Sequence, residues 1–292
     1  MQKYGESLRT IGCGTFGKVT KHSHNNQLFA LKTVLNEEGC EREHQICEFL
    51  RVHTHPNIVQ IVEVITQPLV IVMLYISKTL GDVLGRMNLM NKRLKHTYAT
   101  MILHGIASGL AFLHSHGLIH RDLKPANILI EMSTYTPKIC DFGSCKFLTA
   151  VNVTYICTRF YRAPEQILDC QYAFSADMWS FGCVACEIAI GSPFFVGDDS
   201  TSQLVEIIKK IGMLSEKQLQ EMKGSTLNFG MIPAVHAKPW TQLFTVQHQN
   251  KKINTSYGSQ FEDFVSQILK WVPSERMTAR ECLLHSFLKQ EC

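Results

Sequence analysis

The chain has 292 residues, of which 45% are hydrophobic, and a formal net charge of +4. Its longest apolar run, residues 69–76, is far shorter than the roughly 20 residues that a membrane span requires, and its first residues lack the apolar segment of a secretion signal. The mild positive charge does not by itself indicate a nucleic-acid partner. We therefore expect a soluble globular protein with neither membrane nor nucleic acid among its partners.

The eleven cysteines are an odd number and are scattered through segments with helix-like and strand-like patterns. Cys183 and Cys186 have CxxC spacing, but no second pair follows. Since they lie in an apolar helix-like run, two small core residues are a better interpretation than a metal or redox site. The pattern is typical of reduced thiols. We expect a cytoplasmic protein, with the nucleus as a second compartment to consider.

A glycine-rich turn stands near the start of the chain, within residues 8–34, which we predict to form three strands. Gly12, Gly14 and Gly17 leave backbone N–H groups bare, so that phosphate oxygens can approach them. A dinucleotide-binding turn is the competing interpretation, but it requires a helix directly afterwards. Because a polar turn and another strand follow Val19, we predict a hairpin that covers a nucleotide.

Lys32 is the only charged residue in the apolar strand predicted for residues 28–34. It is either a charge that protects an edge strand or a ligand of nucleotide phosphates held by a glutamate of the next helix. Residues 41–50 have helical periodicity, and they offer Glu43 and Glu48 for this ion pair.

Two further strands, residues 58–64 and 69–76, complete a predicted five-stranded antiparallel sheet. We expect the chain to cross between two lobes where the second of them ends. From residue 79 onward the pattern is helical. The longest predicted helix, residues 96–115, should pack beneath the segment that follows it.

Residues 120–127 are His-Arg-Asp-Leu-Lys-Pro-Ala-Asn, and Asp141 opens an Asp-Phe-Gly triplet. Asp122 can accept a proton from an attacking hydroxyl, and Lys124 can neutralise a phosphate that is being transferred. Asn127 and Asp141 offer hard oxygen ligands, which suit Mg²⁺ or Mn²⁺ held against ATP phosphates. The alternative is a surface turn that happens to carry charges, but it would not account for matching chemistry elsewhere in the chain, so the segment predicts phosphoryl transfer.

This segment resembles the catalytic loop of the eukaryotic protein kinases. Residues 139–165 are similar to the activation segment of the glycogen synthase kinase family, and residues 203–212 and 236–240 also resemble that family. The threonine directly before Tyr155 differs from the Thr-x-Tyr pair of mitogen-activated kinases. The similarity spans about residues 8–289, so the chain is identified as a divergent, minimal-length member of the glycogen synthase kinase family.

The resemblance implies an α+β fold with two lobes: a five-stranded antiparallel N-lobe with one main helix, and a mainly helical C-lobe. A single protein kinase domain, residues 1–292, would consist of an N-lobe (1–75), a hinge (74–78) and a C-lobe (79–292). We expect no appended domain and no regulatory N-terminal serine tail.

Two interactions of charged residues are predicted to support the site. Asp177 stands at the start of an apolar helix, where it could cap amide groups and brace the catalytic loop. The resemblance makes Arg276 the partner of Glu165 in a structural salt bridge.

The resemblance also implies that ATP binds between the lobes together with Mg²⁺ or Mn²⁺. Lys32 would reach the α and β phosphates and pair with Glu43, whose place in the family pattern matches better than that of Glu48. Backbone groups of Leu74 and Ile76 would bind the adenine. The implied nucleotide-binding residues are Ile11, Gly12, Gly14, Gly17, Val19, Ala30, Lys32, Met73, Leu74, Ile76, Asn127, Leu129 and Asp141, with Asn127 and Asp141 as the metal ligands.

Members of this family recognise a phosphate that is already present on the substrate, four residues C-terminal to the target serine or threonine. By motif, the three basic ligands of this priming phosphate are Arg42, Arg121 and Lys146. Each lies beside a residue of the proposed site in the sequence, so all three should converge on the front of the cleft. A dianionic phosphate suits a planar guanidinium. Alternatively, Arg121 only orients the activation segment.

Two departures from the family pattern affect the expected partners. Three carboxylates, at Glu37, Glu38 and Glu41, stand where the family is usually basic, and they predict a smaller priming advantage. Thr226 or Leu227 occupies the place of an aromatic residue in the groove that binds scaffold helices, so the sequence gives little support for scaffold binding.

Tyr155 would be autophosphorylated, with Arg159 and Arg162 as phosphate partners. Phosphorylation adds about −1.5 to −2 charge and should lock the activation segment open. The alternative is a packed loop aromatic.

These features predict an active, ATP- and Mg²⁺-dependent serine/threonine protein kinase that acts on previously phosphorylated proteins. Asp122, Lys124, Lys32 and Glu43 are its expected catalytic residues. Two alternatives stay open: a kinase of the same group without a priming preference, and a catalytically inactive kinase that acts as a scaffold.

Overall fold

The computed structural model describes residues 2–14, 17–35, 40–148, 158–222, 235–248 and 251–289. Its first strands are β1 (Arg9–Gly14), β2 (Gly17–His24), β3 (Gln27–Val34), β4 (Ile61–Thr66) and β5 (Leu69–Leu74). They form one five-stranded antiparallel sheet in the order β1-β2-β3-β5-β4. The predicted sheet is confirmed, although β4 starts only at Ile61 and β5 already ends at Leu74.

The connection between β1 and β2 depends on glycine. Gly14 and Gly17 are paired at the end of the hairpin, and Gly17 has a φ of 149°, which side chains of L-residues rarely allow. A Cβ atom on Gly17 would lie 2.2 Å from the carbonyl oxygen of Thr33. Because β2 then continues to His24 as a strand, the predicted hairpin is confirmed and the dinucleotide-binding turn is excluded.

The helix α1 (Cys40–Val52) follows the third strand and packs against β4 and β5. Its buried residues share one face: Glu43, Ile46, Cys47 and Leu50. Glu48 lies off this face and pairs with Arg51, with 2.8 Å between Nη2 and Oε2. The helix therefore turns Glu43, and not Glu48, towards the sheet.

The remaining part of the chain is mainly helical. Its helices are α2 (Leu80–Leu89), α3 (His96–Ser115), α4 (Pro164–Ile167), α5 (Phe174–Ile190), α6 (Ser200–Ile211), α7 (Glu216–Glu221), α8 (Trp240–Leu243), α9 (Ser259–Ile268) and α10 (Ala279–Leu284). Every residue from 176 to 189 of α5 is buried, as expected for a helix that is apolar on all sides. The bounds predicted for α3 are confirmed.

Short strand pairs bring the motif segments together. β6 (Leu118–Ile119) pairs with β9 (Lys146–Phe147), and β7 (Ile128–Glu131) pairs with β8 (Thr136–Ile139). β6 and β7 flank residues 120–127, while β8 and β9 flank residues 141–143, so the two motif segments must lie side by side. A further hairpin joins β10 (Thr245–His248) to β11 (Lys251–Asn254).

The predicted α+β fold, a five-stranded antiparallel sheet with one main helix followed by a mainly helical part, is confirmed. Within the described ranges, none of the helices combines the length and apolar character that crossing a bilayer would need. Cys183 and Cys186 are buried in α5, as the interpretation of core residues requires.

Candidate active site

Residues of the sheet and of the helical part together line a cavity of about 430 Å³, a volume typical of small-molecule sites. Its lining residues include twelve of the predicted nucleotide ligands: Ile11, Gly12, Gly17, Val19, Ala30, Lys32, Met73, Leu74, Ile76, Asn127, Leu129 and Asp141. Gly14 ends β1. Sequence reasoning did not assign Cys13, Cys47, Val59, Ile71, Tyr75, Ala126 or Phe142, which also line it.

Lys32 makes two ion pairs at the wall of this cavity. Its Nζ lies 2.7 Å from Oε1 of Glu43 and 2.6 Å from Oδ1 of Asp141. Lys32 and Glu43 are only 6% and 3% exposed. Because β3 is the middle strand of the sheet, the alternative that Lys32 protects an edge strand is wrong. Lys32 is instead held between α1 and the Asp-Phe-Gly triplet, with its ammonium group at the cavity.

The two ion pairs determine the charges of these groups. Burial alone would lower the pKa of Lys32, but the carboxylates of Asp141 and Glu43 more than offset this and raise it above its ordinary value. Burial alone would raise the pKa of Asp141, but Lys32 holds it below its ordinary value. At neutral pH the cavity therefore contains an ammonium group beside an ionised carboxylate.

The carboxylate of Asp122 is held by three neighbouring residues. Its Oδ2 accepts hydrogen bonds from Nζ of Lys124 at 2.7 Å and from Nδ2 of Asn127 at 3.1 Å. Its Oδ1 accepts from the backbone N–H and from the hydroxyl of Thr158, each at 3.0 Å. Lys124 also donates to the hydroxyl oxygen of Thr158 at 2.7 Å. Sequence reasoning gave Thr158 no role, because nothing local shows that it meets Asp122.

Asp177, in the first turn of α5, braces the catalytic segment. Its two carboxylate oxygens accept the backbone N–H of His120 at 2.9 Å and that of Arg121 at 2.8 Å, and Nε2 of His114 lies 2.9 Å from Oδ2. Burial alone would raise the pKa of Asp177, but the hydrogen bond and charge of His114 help to hold it below its ordinary value. The predicted bracing is confirmed. The predicted capping is wrong, because the helix begins at Phe174 and its cap position makes no side-chain hydrogen bond.

Asn127 and Asp141 fit the role of metal ligands. The amide nitrogen of Asn127 donates to the backbone oxygen of Asp122 at 2.8 Å and to its carboxylate at 3.1 Å, which leaves the amide oxygen for a cation. The ionised Asp141 offers a second hard oxygen donor. Among the described residues there is no cluster of three metal-binding side chains. One carboxylate and one amide oxygen fit Mg²⁺, which usually takes one or two protein carboxylates and completes its shell with phosphate and water.

Two of the three predicted priming residues are anchored to consecutive carbonyl groups. Arg42 donates through Nη2 to the carbonyl oxygen of Gly143 at 3.2 Å, and Arg121 donates through Nε to that of Ser144 at 2.5 Å. Lys146 follows at the start of β9. In the described part of the chain, Nε of Arg42 and Nη2 of Arg121 are buried without a hydrogen-bond partner. Buried, unpaired donors of cationic groups are costly.

The bond from Arg121 to Ser144 also ties Arg121 to the beginning of the activation segment, as its alternative interpretation expects. Of the two arginines expected near a phosphotyrosine, Arg159 donates to the carbonyl oxygen of Asp198, and Arg162 is buried. Glu41 is exposed on α1. Five residues that entered the sequence predictions lie outside the described residues: Glu37, Glu38, Tyr155, Thr226 and Leu227.

The predicted salt bridge between Glu165 and Arg276 is confirmed. Both side chains are completely buried, and each carboxylate oxygen accepts from a different guanidinium nitrogen at 2.7 Å. The guanidinium group also donates to the carbonyl oxygens of Lys270, Trp271 and Ser175. A buried charged pair satisfied in this way ties the end of the activation segment to the chain that follows α9.

The family model of the protein kinase domain matches residues 6–288 of the chain. The matched range therefore contains the cavity, the catalytic segment, the Asp-Phe-Gly triplet and the buried pair described above. It also contains both the five-stranded sheet and the helical part.

Proposed function

The chain belongs to the protein kinase family, and from this premise we propose that it is a serine/threonine kinase that prefers substrates already carrying a phosphate. As a protein kinase it uses ATP to phosphorylate proteins. The proposal rests mainly on one arrangement. Lys32 is bonded to both Glu43 and Asp141, and each carboxylate oxygen of Asp122 accepts hydrogen bonds that fix its orientation. We further propose a single domain whose lobes, 1–75 and 79–292, meet at residues 74–78.

Each polar group of this arrangement has a role in phosphoryl transfer. Asp122 orients the substrate hydroxyl and accepts its proton. Lys124 stabilises charge on the phosphate in transit, and Lys32 stabilises charge on the remaining phosphates of ATP. Asn127 and Asp141 would hold Mg²⁺, which neutralises phosphate charge when it is bound. Because hydrogen bonds already fix these side chains, positioning and electrostatics supply most of the rate.

The surroundings of Asp122 support serine or threonine as the phosphate acceptor. A reactive hydroxyl must come within hydrogen-bonding distance of this carboxylate, about 2.6–3.2 Å. Lys124 and Thr158 already lie within 3.0 Å of it. An acceptor with a short side chain brings the substrate backbone close to these two residues, while a tyrosine ring would hold it several ångströms further away. Matched peptides with Ser, Thr or Tyr at the acceptor position test this point, and preferential transfer to Tyr would reject it.

The two anchored arginines support the priming preference. Arg42 and Arg121 each keep a buried guanidinium nitrogen that lacks a partner among the described residues, and Lys146 adds a third positive charge nearby in the chain. A phosphate has three acceptor oxygens and forms charge-assisted hydrogen bonds with guanidinium groups. A phosphorylated residue of the substrate would therefore satisfy donors that have no partner in the described part of the chain.

A peptide of the form Ser-x-x-x-Ser tests the proposal directly, with and without phosphate on the C-terminal serine. Wild type should use the phosphorylated peptide better, and Arg42→Ala, Arg121→Ala or Lys146→Ala should each reduce that preference by about tenfold. Arg86→Ala, at an exposed position of α2, is the control. Equal use of both peptides would keep the kinase but reject priming.

The acidic flank before Arg42 makes a related test possible. If its carboxylates weaken the phosphate site, Glu38→Lys should enlarge the preference for the phosphorylated peptide, because it replaces a repelling charge with an attracting one. An unchanged preference would show that the acidic flank does not weaken the phosphate site.

We also propose that autophosphorylation of Tyr155 activates the enzyme. The added phosphate would attract basic side chains and fix the activation segment in an open form. Tyr155→Phe should lower the activity on the phosphorylated peptide, and mass spectrometry of the wild type should find phosphate on this residue. Equal activity of the variant and the wild type would contradict the proposal.

An inactive scaffold is the alternative from another functional class. It is disfavoured because Lys32, Glu43, Asp122, Asn127 and Asp141 are all present. The absence of both peptide phosphorylation and autophosphorylation in the presence of ATP and Mg²⁺ would favour the scaffold.

A further inference from the structure

Tyr172 lies between α4 and α5, and it has no role in the reaction as described so far. The side chain is 5% exposed. Its hydroxyl oxygen accepts a hydrogen bond from Nη1 of Arg121 at 3.2 Å. The same guanidinium group donates through Nε to the carbonyl oxygen of Ser144 at 2.5 Å. Tyr172 and Ser144 therefore hold Arg121 from two separate parts of the chain.

Holding two nitrogens fixes the whole guanidinium plane. The group is flat and delocalised, so it cannot rotate about one hydrogen bond without breaking the other. The backbone of Arg121 is fixed as well, because its N–H donates to Asp177 at 2.8 Å and its φ is 67°, in the left-handed region. Of the three guanidinium nitrogens, Nη2 is the one that is buried without a hydrogen-bond partner among the described residues.

We propose that Tyr172 is a positioning residue for the priming phosphate: its hydroxyl holds Arg121 so that Nη2 points at the phosphate of a previously phosphorylated substrate. The inference rests on the proposed priming preference. Arg42 is held in a comparable way, through the carbonyl oxygen of Gly143 at 3.2 Å, and it also keeps one buried nitrogen unpaired. Tyr172 differs from these arginines because it acts only through Arg121 and need not touch the phosphate.

The variant Tyr172→Phe tests the inference, because it removes one oxygen atom and keeps the ring that packs in the core. We expect the ratio of kcat/KM for the phosphorylated peptide to kcat/KM for the unphosphorylated peptide to fall about tenfold, as the loss of one hydrogen bond to a charged group implies. Inorganic phosphate should also inhibit the reaction of the variant with the phosphorylated peptide less strongly than that of wild type. Tyr98→Phe is the control, since Tyr98 stacks on Tyr135 at 4.0 Å and has no contact with the arginines in the described structure.

A double-mutant cycle separates positioning from packing. Arg121→Lys keeps the positive charge but cannot be held at two nitrogens, so it should lose the preference in the same way. In that background, Tyr172→Phe should lower the ratio no further, because both changes break the same interaction. A purely structural effect of Tyr172 would instead lower activity on both peptides equally in either background.

The possible results distinguish failure of the inference from failure of the proposed function. If wild type uses both peptides equally, the priming proposal itself fails. If wild type prefers the phosphorylated peptide and Tyr172→Phe keeps both the ratio and the phosphate inhibition, only the role of Tyr172 is overturned. A Tyr172→Phe protein that does not fold would also overturn it, because a hydroxyl that serves only to position Arg121 is not needed for folding.

Discussion

The backbone N–H and the hydroxyl of Thr158 both lie 3.0 Å from the same carboxylate oxygen of Asp122, across 36 positions of sequence. Lys124 closes the arrangement, because it donates both to Asp122 and to Thr158 at 2.7 Å. The group proposed to accept the proton is thus oriented by a residue near the end of the activation segment, residues 139–165. A change in the conformation of that segment should therefore change the orientation of the Asp122 carboxylate.

This contact makes Thr158 a residue whose hydroxyl should matter for the reaction. Thr158→Ala removes two hydrogen bonds to charged groups, and we expect kcat to fall by about tenfold or more. Thr158→Ser keeps the hydroxyl and should restore most of the rate. Steady-state kinetics with a serine peptide measures both. Equal rates for the alanine and serine variants would mean that the hydroxyl does not orient Asp122.

Asp122 itself should be needed for transfer but not for ATP binding. Asp122→Asn has nearly the same shape, yet it cannot accept the proton, so kcat should fall by about 10²–10⁴. Calorimetric titration with an ATP analogue should give the same Kd as for wild type. Asp82→Asn, at the exposed start of α2, is the control. A variant with normal kcat would show that the base is not required.

The ion pair between Lys32 and Asp141 should control the acid limit of metal–nucleotide binding. In wild type, Lys32 holds the pKa of Asp141 below its ordinary value against the effect of burial, so the carboxylate stays ionised as the pH falls. Lys32→Met removes the main influence that opposes burial, so the pKa of Asp141 should rise. Binding of Mn²⁺ with ADP, titrated between about pH 5 and pH 7.5, should therefore be lost at a higher pH in the variant. Loss of binding at the same pH in the variant and in wild type would contradict this explanation.

The buried pair of Glu165 and Arg276 should contribute to stability far more than an exposed pair. Arg276→Ala leaves a buried carboxylate without its partner, which should lower the free energy of unfolding by about 3–5 kcal/mol. Lys209→Ala breaks the exposed pair with Glu206 and should cost about 1 kcal/mol or less. Urea unfolding followed by circular dichroism measures both. Similar decreases of the free energy of unfolding in the two variants would mean that the buried salt bridge contributes no more to stability than an exposed one.

Gly17 should tolerate no side chain, because a Cβ atom there would meet the carbonyl oxygen of Thr33 at 2.2 Å. Since that oxygen belongs to the backbone, Gly17→Ala must displace the β1–β2 hairpin, and the KM for ATP should rise. Gly85→Ala lies in α2 with no heavy atom within 4 Å of the new Cβ, so it should leave KM unchanged and stabilise the helix by about 0.5–1 kcal/mol. An unchanged KM in Gly17→Ala would show that the hairpin can move without affecting ATP.

Much of the architecture could be predicted because it follows from local patterns. The glycine spacing followed by a polar turn predicted the β1–β2 hairpin, and apolar periodicity predicted α3 with the bounds that the structure has. The motif segments identified the cavity wall because their residue types are tied to the chemistry of phosphate and of hard cations. Hydrogen bonds within a helix or between adjacent strands, and the chemistry of a single side chain, need only short stretches of sequence.

Contacts between distant segments could not be derived from the residues in the same way. Sequence periodicity alone left both Glu43 and Glu48 available to Lys32. The family resemblance favoured Glu43, and the burial of one face of α1 gives the physical reason. Likewise, the sequence allowed Asp177 to cap its own helix. In the structure the helix begins earlier, at Phe174, and the carboxylate of Asp177 binds the catalytic segment instead.

The sequence by itself determined which kinds of groups are available for phosphoryl transfer and in what order they occur along the chain. Only the tertiary structure decided which of them meet: Thr158 with Asp122, Tyr172 with Arg121, and Lys32 in the middle strand of its sheet and not at an edge. The physical reason is that side-chain periodicity shows which face of an element is apolar, while the partner of that face is chosen by the packing of the whole core.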